Sequence, residues 1–269
     1  MAITVQQINP VAFSLGFFDV RWYALAYVAA FVVGYVLFRR LMRSTDSGLD
    51  ISNKKLDDLL TAVILGVVCG GRFGYVLFYN LGYFILHPLA ILAVWNGGMS
   101  FHGGLVGAII ATFWFGHKNQ INSWRILDLM AVVAPIGLFF GRIANFINME
   151  LMGYPSNVPW AVEFVDKSGN VLIPASHPSP IYEALTEGTL LFILMYCLYK
   201  CTRLRNRPGA LSGIMGMGYA VARIFCEQFR IPDAQVGFLA GGWLTMGMTL
   251  SIVMFFCGLA IFVFAFRKK

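Results

Sequence analysis

Arginines stand inside apolar segments of this 269-residue chain, where a charged side chain needs a partner. Arg142 and Arg223 each lie in a stretch long enough to cross a membrane, and Arg72 lies in a third. A charge at membrane depth costs about 2.5 to 3.5 kcal/mol on insertion scales, so an intramembrane arginine indicates a functional role. The guanidinium fork has five N–H donors that match phosphate, which makes phosphate binding the first chemistry to consider.

The segment around Arg142 carries further polar groups and reads GRIANFINMELMG, ending at Gly153. Arg142 and Asn145 are three residues apart and share one face of a helix. The amides of Asn145 and Asn148 are suited to bind ester or hydroxyl oxygens, and Glu150 follows them. An ion pair between Arg142 and Glu150 that holds the following loop is the structural alternative.

The segment around Arg223 reads GYAVARIFCEQFRIPDAQ. Tyr219, Arg223 and Glu227 follow at intervals of four residues, so a helix aligns them along one face. Arg223 and Glu227 are expected to pair, with Glu227 holding the arginine in place. Tyr219 offers a second contact to a phosphate or a hydroxyl group.

A histidine lies among glycines in GGMSFHGGLVG. The ordinary pKa of the His102 imidazole is near neutrality, so this residue could act as a general base; hydrogen bonding at the membrane interface is the alternative. Gly103 and Gly104 leave room for a ligand or a backbone to approach. Gly103 and Gly107 also form GxxxG, which favours close helix packing.

Two further charged residues are candidates for supporting roles. Arg72 lies off a strip of glycines at positions 66, 70 and 74 that predicts helix packing, and its expected partner is a glutamate or a lipid phosphate. Glu183 ends HPSPIYE, whose prolines also fit a simple joint between a loop and a helix. Glu187 follows four residues later.

The composition predicts that these residues are positioned by membrane-crossing helices. The chain is 58% hydrophobic and 12% charged, against about 25% charged for soluble domains. We expect an all-α integral membrane protein, with a single membrane domain over residues 1–269 and a small cap outside the membrane at about 148–180 built on a β-hairpin. Seven apolar runs predict transmembrane helices at about 20–41, 56–79, 98–116, 126–147, 181–200, 209–229 and 243–266.

The distribution of charge predicts the orientation of these spans. Fourteen of the 20 lysines and arginines follow the first, third, fifth or seventh span, which places the N-terminus outside and the C-terminus in the cytoplasm. This topology accounts for the net charge of +7 without nucleic-acid binding. It also brings polar groups of six helices, including Tyr23 of the first, to the outer leaflet. Asp128 and His117 fall on the cytoplasmic side, where capping or solvation is expected.

Other classes of protein are less well matched. No Cys, His or carboxylate cluster has metal-site spacing, and no phosphate loop or dinucleotide motif follows a predicted strand, so we expect neither a metal nor an organic cofactor. A transporter or channel for an anionic solute is the main alternative to an enzyme. It predicts polar residues in both membrane halves and often two matching halves with broken helices, and neither pattern is evident.

These motifs resemble the prolipoprotein diacylglyceryl transferase family over nearly the whole chain. The similarity rests on RWYALAY, GGRFGYVLFYN, GGMSFHGGLVG, GRIANFINMELMG, HPSPIYE and GYAVARIFCEQFRIPDAQ. The resemblance implies a bacterial inner-membrane enzyme with seven spans and a periplasmic head. It implies transfer of the diacylglyceryl group of phosphatidylglycerol to the lipobox cysteine thiol of prolipoprotein signal peptides, with release of glycerol phosphate.

The resemblance also implies roles for particular residues. His102 matches the family's essential histidine, and Arg142 and Arg223 match its phospholipid-binding arginines, so the implied counter-charge is a lipid phosphate. Other positions that the family uses are Tyr23, Asn145, Glu150, Gly153 and Tyr219. Pro180 stands where glutamine is expected in many relatives, and the cap loop is short.

Overall fold

The structure, a computed structural model, describes residues 2–16, 18–44, 47–49, 51–232, 238–240 and 242–267. Residues 233–235, which end the Arg223 segment, and the two C-terminal lysines at 268 and 269 lie outside this part of the chain. The chain divides into two compact units. The first comprises Met1–Arg40 and Asp128–Lys269, and the second comprises Leu41–Leu127.

Helices form most of the described chain, and each predicted span coincides with helix to within a few residues. They are α1 (Trp22–Met42), α2 (Asn53–Tyr79), α3 (Leu81–Leu86), α4 (Phe101–Asn119), α5 (Ser123–Ile147), α6 (Ser179–Glu183), α7 (Leu191–Cys201), α8 (Ala210–Glu227) and α9 (Met246–Arg267). A π-helix, Ala184–Leu190, joins α6 to α7. Short 3₁₀ turns cover Pro88–Leu92, Val94–Asn96 and Arg203–Asn206.

Five helical segments of the described chain are long and apolar enough to cross a membrane. They are Trp22–Met42, Asn53–Tyr79, Ser123–Ile147, Ser179–Cys201 and Met246–Arg267. Val28, Phe31 and Val36 of α1 are 51–59% exposed, as expected for side chains that face lipid. The predicted class, a mostly helical membrane protein, is confirmed. Helices α4 and α8 coincide with the other two predicted spans but do not meet this criterion of length and composition.

Short β-strands form three small sheets that accompany the helices. The strands are β1 (Ile3–Gln6), β2 (Val11–Leu15), β3 (Phe18–Arg21), β4 (Val162–Val165), β5 (Val171–Ser176), β6 (Phe238–Ala240) and β7 (Leu244–Thr245). Strands β4 and β5 pair antiparallel, which confirms the predicted hairpin. The other five strands were not predicted, because each has five residues or fewer and lacks a clear alternation of polar and apolar residues.

Asp166 stabilises the turn of the β4–β5 hairpin. Its carboxylate accepts the backbone N–H groups of Ser168 at 2.7 Å and Asn170 at 2.8 Å, and the Asn170 side-chain amide at 2.8 Å. These hydrogen bonds, the side-chain bond first, hold the pKa of Asp166 below its usual range. The turn is therefore stabilised above the ordinary pKa of aspartate, and this stabilisation is lost as the pH falls through the lowered pKa.

The hairpin packs on the end of α5. Phe164 of β4 is fully buried, and it belongs to a cluster with the buried residues Met152 and Val162. The ring centroid of Phe164 lies 5.4 Å from that of Phe146 on α5. Strand β1 pairs in parallel with β4 and adds Val5 to this apolar cluster. The contact holds the small sheet beside the helix that carries Arg142 and Asn145.

Within the second unit, α2 and α4 pack through glycines. A Cβ atom added to Gly70 would lie 2.9 Å from the Cα of Gly107, and one added to Gly74 would lie 2.9 Å from the Cα of Gly103. Real Cβ atoms do not approach backbone atoms so closely, so larger side chains would force the helices apart. The predicted packing role of these glycines is confirmed.

In the first unit, Asp128 of α5 caps the N-terminus of α8. Its buried carboxylate accepts the backbone N–H groups of Gly209 at 2.8 Å and Ser212 at 2.7 Å, and the Ser212 hydroxyl at 2.7 Å. The first turn of a helix has unpaired N–H donors, and an aspartate satisfies them well. The capping role expected for Asp128 is confirmed.

We expect Asp128→Ala to lower the free energy of unfolding by about 2 to 4 kcal/mol, because it removes a helix cap and leaves buried donors unpaired. Thermal unfolding of the purified protein in detergent measures this loss. The exposed Asp58 provides a control, since Asp58→Ala is expected to change stability by about 0.5 kcal/mol or less. An Asp128→Ala protein as stable as the control would contradict the capping role.

Candidate active site

A π-helix positions two buried glutamates in the first unit. The backbone N–H of Leu191 bonds to the carbonyl of Thr186, five residues earlier. Such turns are rare and often occur at functional sites. Glu183 directly precedes this π-helix and Glu187 lies within it, and both side chains are fully buried. Continuous α-helix was expected here, because single-residue widening of a helix has no clear pattern in the sequence.

Two close contacts bring the π-helix to the arginine-bearing helices. A Cβ atom on Gly188 would lie 2.7 Å from the Cβ of Phe139, so glycine is needed for α5 to approach. The Thr186 hydroxyl lies 3.1 Å from the Cys226 sulfur on α8. Phe139 precedes Arg142 by three residues and Cys226 follows Arg223 by three, so each contact lies about one helical turn from an arginine.

Arg142 pairs with both glutamates. Its Nη2 and Nε donate to Oε2 of Glu187 at 3.0 and 3.3 Å. Its Nη1 lies 3.1 Å from Oε2 of Glu183. The guanidinium is therefore held by two carboxylates from neighbouring positions of the same helical segment.

Arg223 lies on the other side of Glu183. Its Nη1 donates to Oε1 of Glu183, and its Nη2 lies 2.8 Å from Oε2 of Glu227, which confirms the predicted i, i+4 pair. Glu227 is itself held by the Thr245 hydroxyl, which donates to its Oε1 at 2.9 Å. Gly247 makes room for this carboxylate, because a Cβ atom there would lie 2.7 Å from Oε1 of Glu227.

These residues form a buried arginine–glutamate cluster with balanced formal charge. A third arginine, Arg230, approaches Oε1 of Glu183 to 3.7 Å. The cluster consists of Arg142, Arg223, Arg230, Glu183, Glu187 and Glu227. Buried charges are stable only when they are paired, and three arginines match three carboxylates here. The counter-charge of Arg142 in this structure is thus glutamate, where the family resemblance implied a lipid phosphate.

The arginines are more accessible than the carboxylates behind them. The side chains of Arg142 and Arg223 are 15% and 10% exposed, whereas those of Glu183 and Glu187 are 0% exposed. Tyr219 lies one turn before Arg223 on α8. The cluster therefore presents guanidinium groups, and not carboxylates, toward the surface.

A second polar group lies at the end of α5. Asn145 donates its amide to Oε2 of Glu150 at 3.0 Å, and Asn148 donates to Oε1 at 3.4 Å. Tyr23 lies in the first turn of α1, and its ring centroid lies 5.2 Å from that of Tyr27. Glu150 thus pairs with amides, and the alternative ion pair between Arg142 and Glu150 is wrong.

Gly153 lies where two backbone segments meet. Its N–H donates to the carbonyl of His177 at 2.9 Å, and the residue forms an isolated bridge with Arg230. A Cβ atom would lie 2.9 Å from the Cβ and the carbonyl oxygen of His177. The structure therefore gives Gly153 a packing role beside the cluster, since any side chain would displace the segment that carries Arg230.

Arg72, in the second unit, differs from its expected role. Its guanidinium donates at 2.6–3.2 Å to the backbone carbonyls of Ala90, Ile91, Ala93, Gly97 and Gly98. The group also lies 5.0 Å from the ring centroid of Phe84. These carbonyls take the place of the glutamate or lipid phosphate expected as its partner. Arg72 thereby folds the loop that leads into α4.

His102 lies in the first turn of α4, which begins at Phe101 because Ser100 caps it. The Ser100 hydroxyl accepts the N–H of Gly103 at 3.2 Å. His102 is exposed, whereas Gly104 is buried. A Cβ atom on Gly104 would meet Val67 at 3.5 Å, so Gly103 and Gly104 both pack toward α2.

The sequence alone did not assign roles to Glu187 and Arg230. Glu187 was recognised only as a polar group at the outer level, although its spacing of four residues from Glu183 was a usable signal. Nothing in the sequence spacing of Arg230 points to Glu183. Among the described residues, no group of three His, Cys, Asp or Glu side chains could hold a metal ion.

We expect Glu183→Gln to lower the free energy of unfolding by about 3 to 5 kcal/mol, because the substitution removes a buried carboxylate that contacts three arginines. Thermal unfolding measures the effect, and Glu163→Gln on β4 serves as a control with no comparable pairing. A Glu183→Gln protein that unfolds at the wild-type temperature would show that the cluster does not depend on this carboxylate.

The fold and the cluster define a mostly helical integral membrane protein with two largely buried arginines, partly exposed at one side, whose guanidinium groups are suited to an anionic group. The chain belongs to the prolipoprotein diacylglyceryl transferase family, whose model matches residues 10–264. Three relatives are each named phosphatidylglycerol–prolipoprotein diacylglyceryl transferase. The protein of Allorhizobium ampelinum is 48% identical over 94% of this chain and 88% of its own length. That of Rhodospirillum rubrum is 47% identical over 100% and 96%, and that of Azospirillum brasilense is 48% identical over 100% and 98%.

Proposed function

We propose that this chain transfers the diacylglyceryl group of phosphatidylglycerol to the lipobox cysteine of prolipoproteins. The family match and the names of near-full-length relatives support this enzyme, and they do not support the alternative of a transporter or channel for an anionic solute. The products are a thioether-linked prolipoprotein and glycerol phosphate. The reaction is the first step of bacterial lipoprotein maturation.

The enzyme would lie in the bacterial inner membrane with its site at the outer leaflet. Helix at all seven predicted positions supports seven spans, and the distribution of lysine and arginine supports a periplasmic N-terminus and a cytoplasmic C-terminus. In this orientation the β4–β5 hairpin belongs to the periplasmic cap. Both substrates are amphiphiles, so each can reach the site from the bilayer.

One observation carries the assignment of the phosphate site: Arg142 and Arg223 bind the same carboxylate, Glu183, from two helices. The shared carboxylate holds two guanidinium groups near each other, while both retain some exposure. Guanidinium groups pair with phosphate through strong, charge-assisted hydrogen bonds. The pair would therefore bind the lipid phosphate and stabilise the charge that develops as it leaves.

The bond changes follow from the products. The cysteine sulfur forms a bond to the terminal glyceryl carbon, and the bond between that carbon and the phosphate oxygen breaks. Its electron pair leaves with glycerol phosphate, beside Arg142 and Arg223. The thiol proton passes to His102, which would act as the general base, because a neutral thiol is a weaker nucleophile than its thiolate.

The remaining residues would orient the lipid. Tyr23, together with the hydrogen-bonded pair of Asn145 and Glu150, would bind ester or hydroxyl oxygens of the diacylglyceryl part. Tyr219 would contact the phosphate or a head-group hydroxyl. Three glycines would contribute to substrate binding indirectly, because their lack of a side chain lets neighbouring segments pack closely and leaves space beside the substrate. They are Gly153, Gly103 and Gly104.

A transfer assay tests the proposal directly. Purified protein is mixed with phosphatidylglycerol vesicles and a lipobox peptide, and the mass of the peptide is measured by mass spectrometry. The expected result is a mass increase of one diacylglyceryl group. A peptide with serine in place of the lipobox cysteine should remain unmodified. Absence of the adduct on the cysteine peptide, with folded protein, would refute the proposed function.

A further inference from the structure

One carboxylate oxygen of Glu187 accepts no hydrogen bond from the described residues. Oε2 of this fully buried carboxylate accepts two N–H groups of Arg142. Oε1 is buried, and no donor among the described residues bonds to it. Nη1 of Arg223 stands 3.8 Å from it, beyond hydrogen-bonding distance. A buried charged acceptor without a hydrogen-bond donor lowers the stability of the folded protein. We therefore expect this oxygen to have a donor that the described residues do not supply.

Two other carboxylate oxygens of the cluster also lack a hydrogen bond, but their positions differ. Oε2 of Glu183 lies 3.1 Å from Nη1 of Arg142. Oε2 of Glu227 lies 2.8 Å from Nη2 of Arg223. Both are in close ion pairs, and small rotations would give them hydrogen bonds. Oε1 of Glu187 is therefore the acceptor of the three that most needs a donor from outside the cluster.

The chemistry of the substrate supplies such a donor. In phosphatidylglycerol the phosphate carries a second glycerol, which has two free hydroxyl groups a few bonds from the phosphorus. The unpaired oxygen belongs to the carboxylate that holds Arg142. A lipid phosphate at Arg142 would consequently bring its head-group hydroxyls near this oxygen, and a hydroxyl donates well to a carboxylate.

Resting on the proposed function, we infer that Glu187 is a specificity-determining residue whose Oε1 accepts a hydroxyl of the phosphatidylglycerol head group. The arginines recognise the phosphate, which all anionic phospholipids share. Glu187 recognises the hydroxylated alcohol that distinguishes phosphatidylglycerol. The π-helix matters to this role, because it sets the position of Glu187 between α5 and α8.

The test compares phosphatidylglycerol with phosphatidylpropanol, which has the same charge and no head-group hydroxyl. Each is presented in vesicles of matched acyl chains with the same lipobox peptide. We expect the wild-type enzyme to prefer phosphatidylglycerol by about 10- to 100-fold in kcat/KM, the discrimination of one hydrogen bond to a charged group. In Glu187→Gln the preference should fall to about threefold or less.

Glu227→Gln is the matched control, because Oε1 of Glu227 accepts a hydrogen bond from Thr245 at 2.9 Å and its Oε2 forms a close ion pair with Arg223 at 2.8 Å. It makes the same chemical change to a buried carboxylate of the cluster and should lower both rates while leaving the preference near wild type. A general loss of cluster structure would affect both lipids alike. The ratio of the two rates therefore separates hydroxyl recognition from a structural role.

Two results would overturn the inference. One is a wild-type enzyme that uses both lipids equally well, and the other is a Glu187→Gln enzyme that keeps the wild-type preference. If Glu187→Gln has no measurable activity, binding of glycerol phosphate and of propyl phosphate to the wild type and the variant gives the same comparison. Failure of the proposed function would look different, since the wild type would then form no thioether with phosphatidylglycerol.

Discussion

Replacing Arg142 or Arg223 with lysine is expected to lower kcat/KM for diacylglyceryl transfer by about 100-fold or more, with the protein still folded. Lysine keeps a positive charge beside Glu183 and Glu187, so the buried carboxylates retain a cation. The lysine ammonium group lacks the planar fork of N–H donors of a guanidinium group. The lipid phosphate would therefore lose its paired hydrogen bonds. Steady-state transfer to a lipobox peptide measures the loss, and thermal unfolding of the same preparations checks the fold.

Arg205→Lys is the control for this experiment. The Arg205 guanidinium donates to the carbonyls of Tyr199 and Lys200 at 3.3 and 3.1 Å, away from the cluster. Its replacement should leave kcat/KM within about twofold of wild type. Near-wild-type activity in both Arg142→Lys and Arg223→Lys would contradict a phosphate site at these residues.

Alanine is a poorer probe at these positions. Arg142→Ala would leave Glu187 without its hydrogen-bonded cation, and removal of one member of a buried ion pair costs about 3 to 5 kcal/mol. A loss of activity would then combine unfolding with lost catalysis. The paired arrangement of the cluster thus decides which substitution is informative.

The second large effect is expected for His102→Gln, which should lower kcat by about 10²- to 10⁴-fold, the usual contribution of a general base. The base must be neutral to accept the thiol proton, so wild-type activity should rise with pH over the range in which the His102 imidazole loses its proton. The rise in activity with pH, the rising limb of the pH–rate profile, should be absent in the His102→Gln enzyme. A pH–rate profile of transfer with purified protein measures both effects.

His117→Gln provides a matched control on the same helix. His117 lies in the last turn of α4, whereas His102 lies in the first. The control should retain both the rate and the rising limb of the profile. If His102→Gln kept the wild-type rate and pH dependence, His102 would not be the base, and a role in orienting the lipid head group would have to be tested instead.

Much of the fold was predictable, because long apolar runs determine helices almost independently of their neighbours. All seven predicted spans coincide with helix, and the β4–β5 hairpin follows from its strand and turn residues. The short strands β1, β2 and β3 form through pairing with other segments. Strand β1 pairs with the distant β4, and β2 pairs with β3. The π-helix at Ala184–Leu190 depends on contacts through Gly188 and Thr186 to other helices, which no local pattern reveals.

The sequence predicts many of the residues that form the site, but it does not predict which of them pair with each other. Arg142 and Arg72 are the same anomaly in the sequence, a lone arginine in an apolar segment. Arg142 pairs with carboxylates of a distant helix, whereas Arg72 binds the carbonyls of a loop. Gly97 and Gly98 in that loop adopt φ values of 80° and 77°, a conformation suited to glycine that turns their carbonyls toward Arg72. Helical spacing identifies residues that share a face, and it cannot identify partners that come from elsewhere in the chain.

The most direct test of the account follows both products in one reaction. Wild-type protein, phosphatidylglycerol and a lipobox peptide are incubated, and the modified peptide and free glycerol phosphate are quantified together by mass spectrometry. The account predicts equal amounts of the two, a peptide adduct that survives hydroxylamine at neutral pH, which cleaves thioesters but neither thioethers nor the carboxylic esters of the diacylglyceryl group, and neither product from a protein with both Arg142→Lys and Arg223→Lys. A hydroxylamine-labile acyl adduct, or modified peptide without glycerol phosphate, would contradict diacylglyceryl transfer with a departing phosphate at the arginine pair.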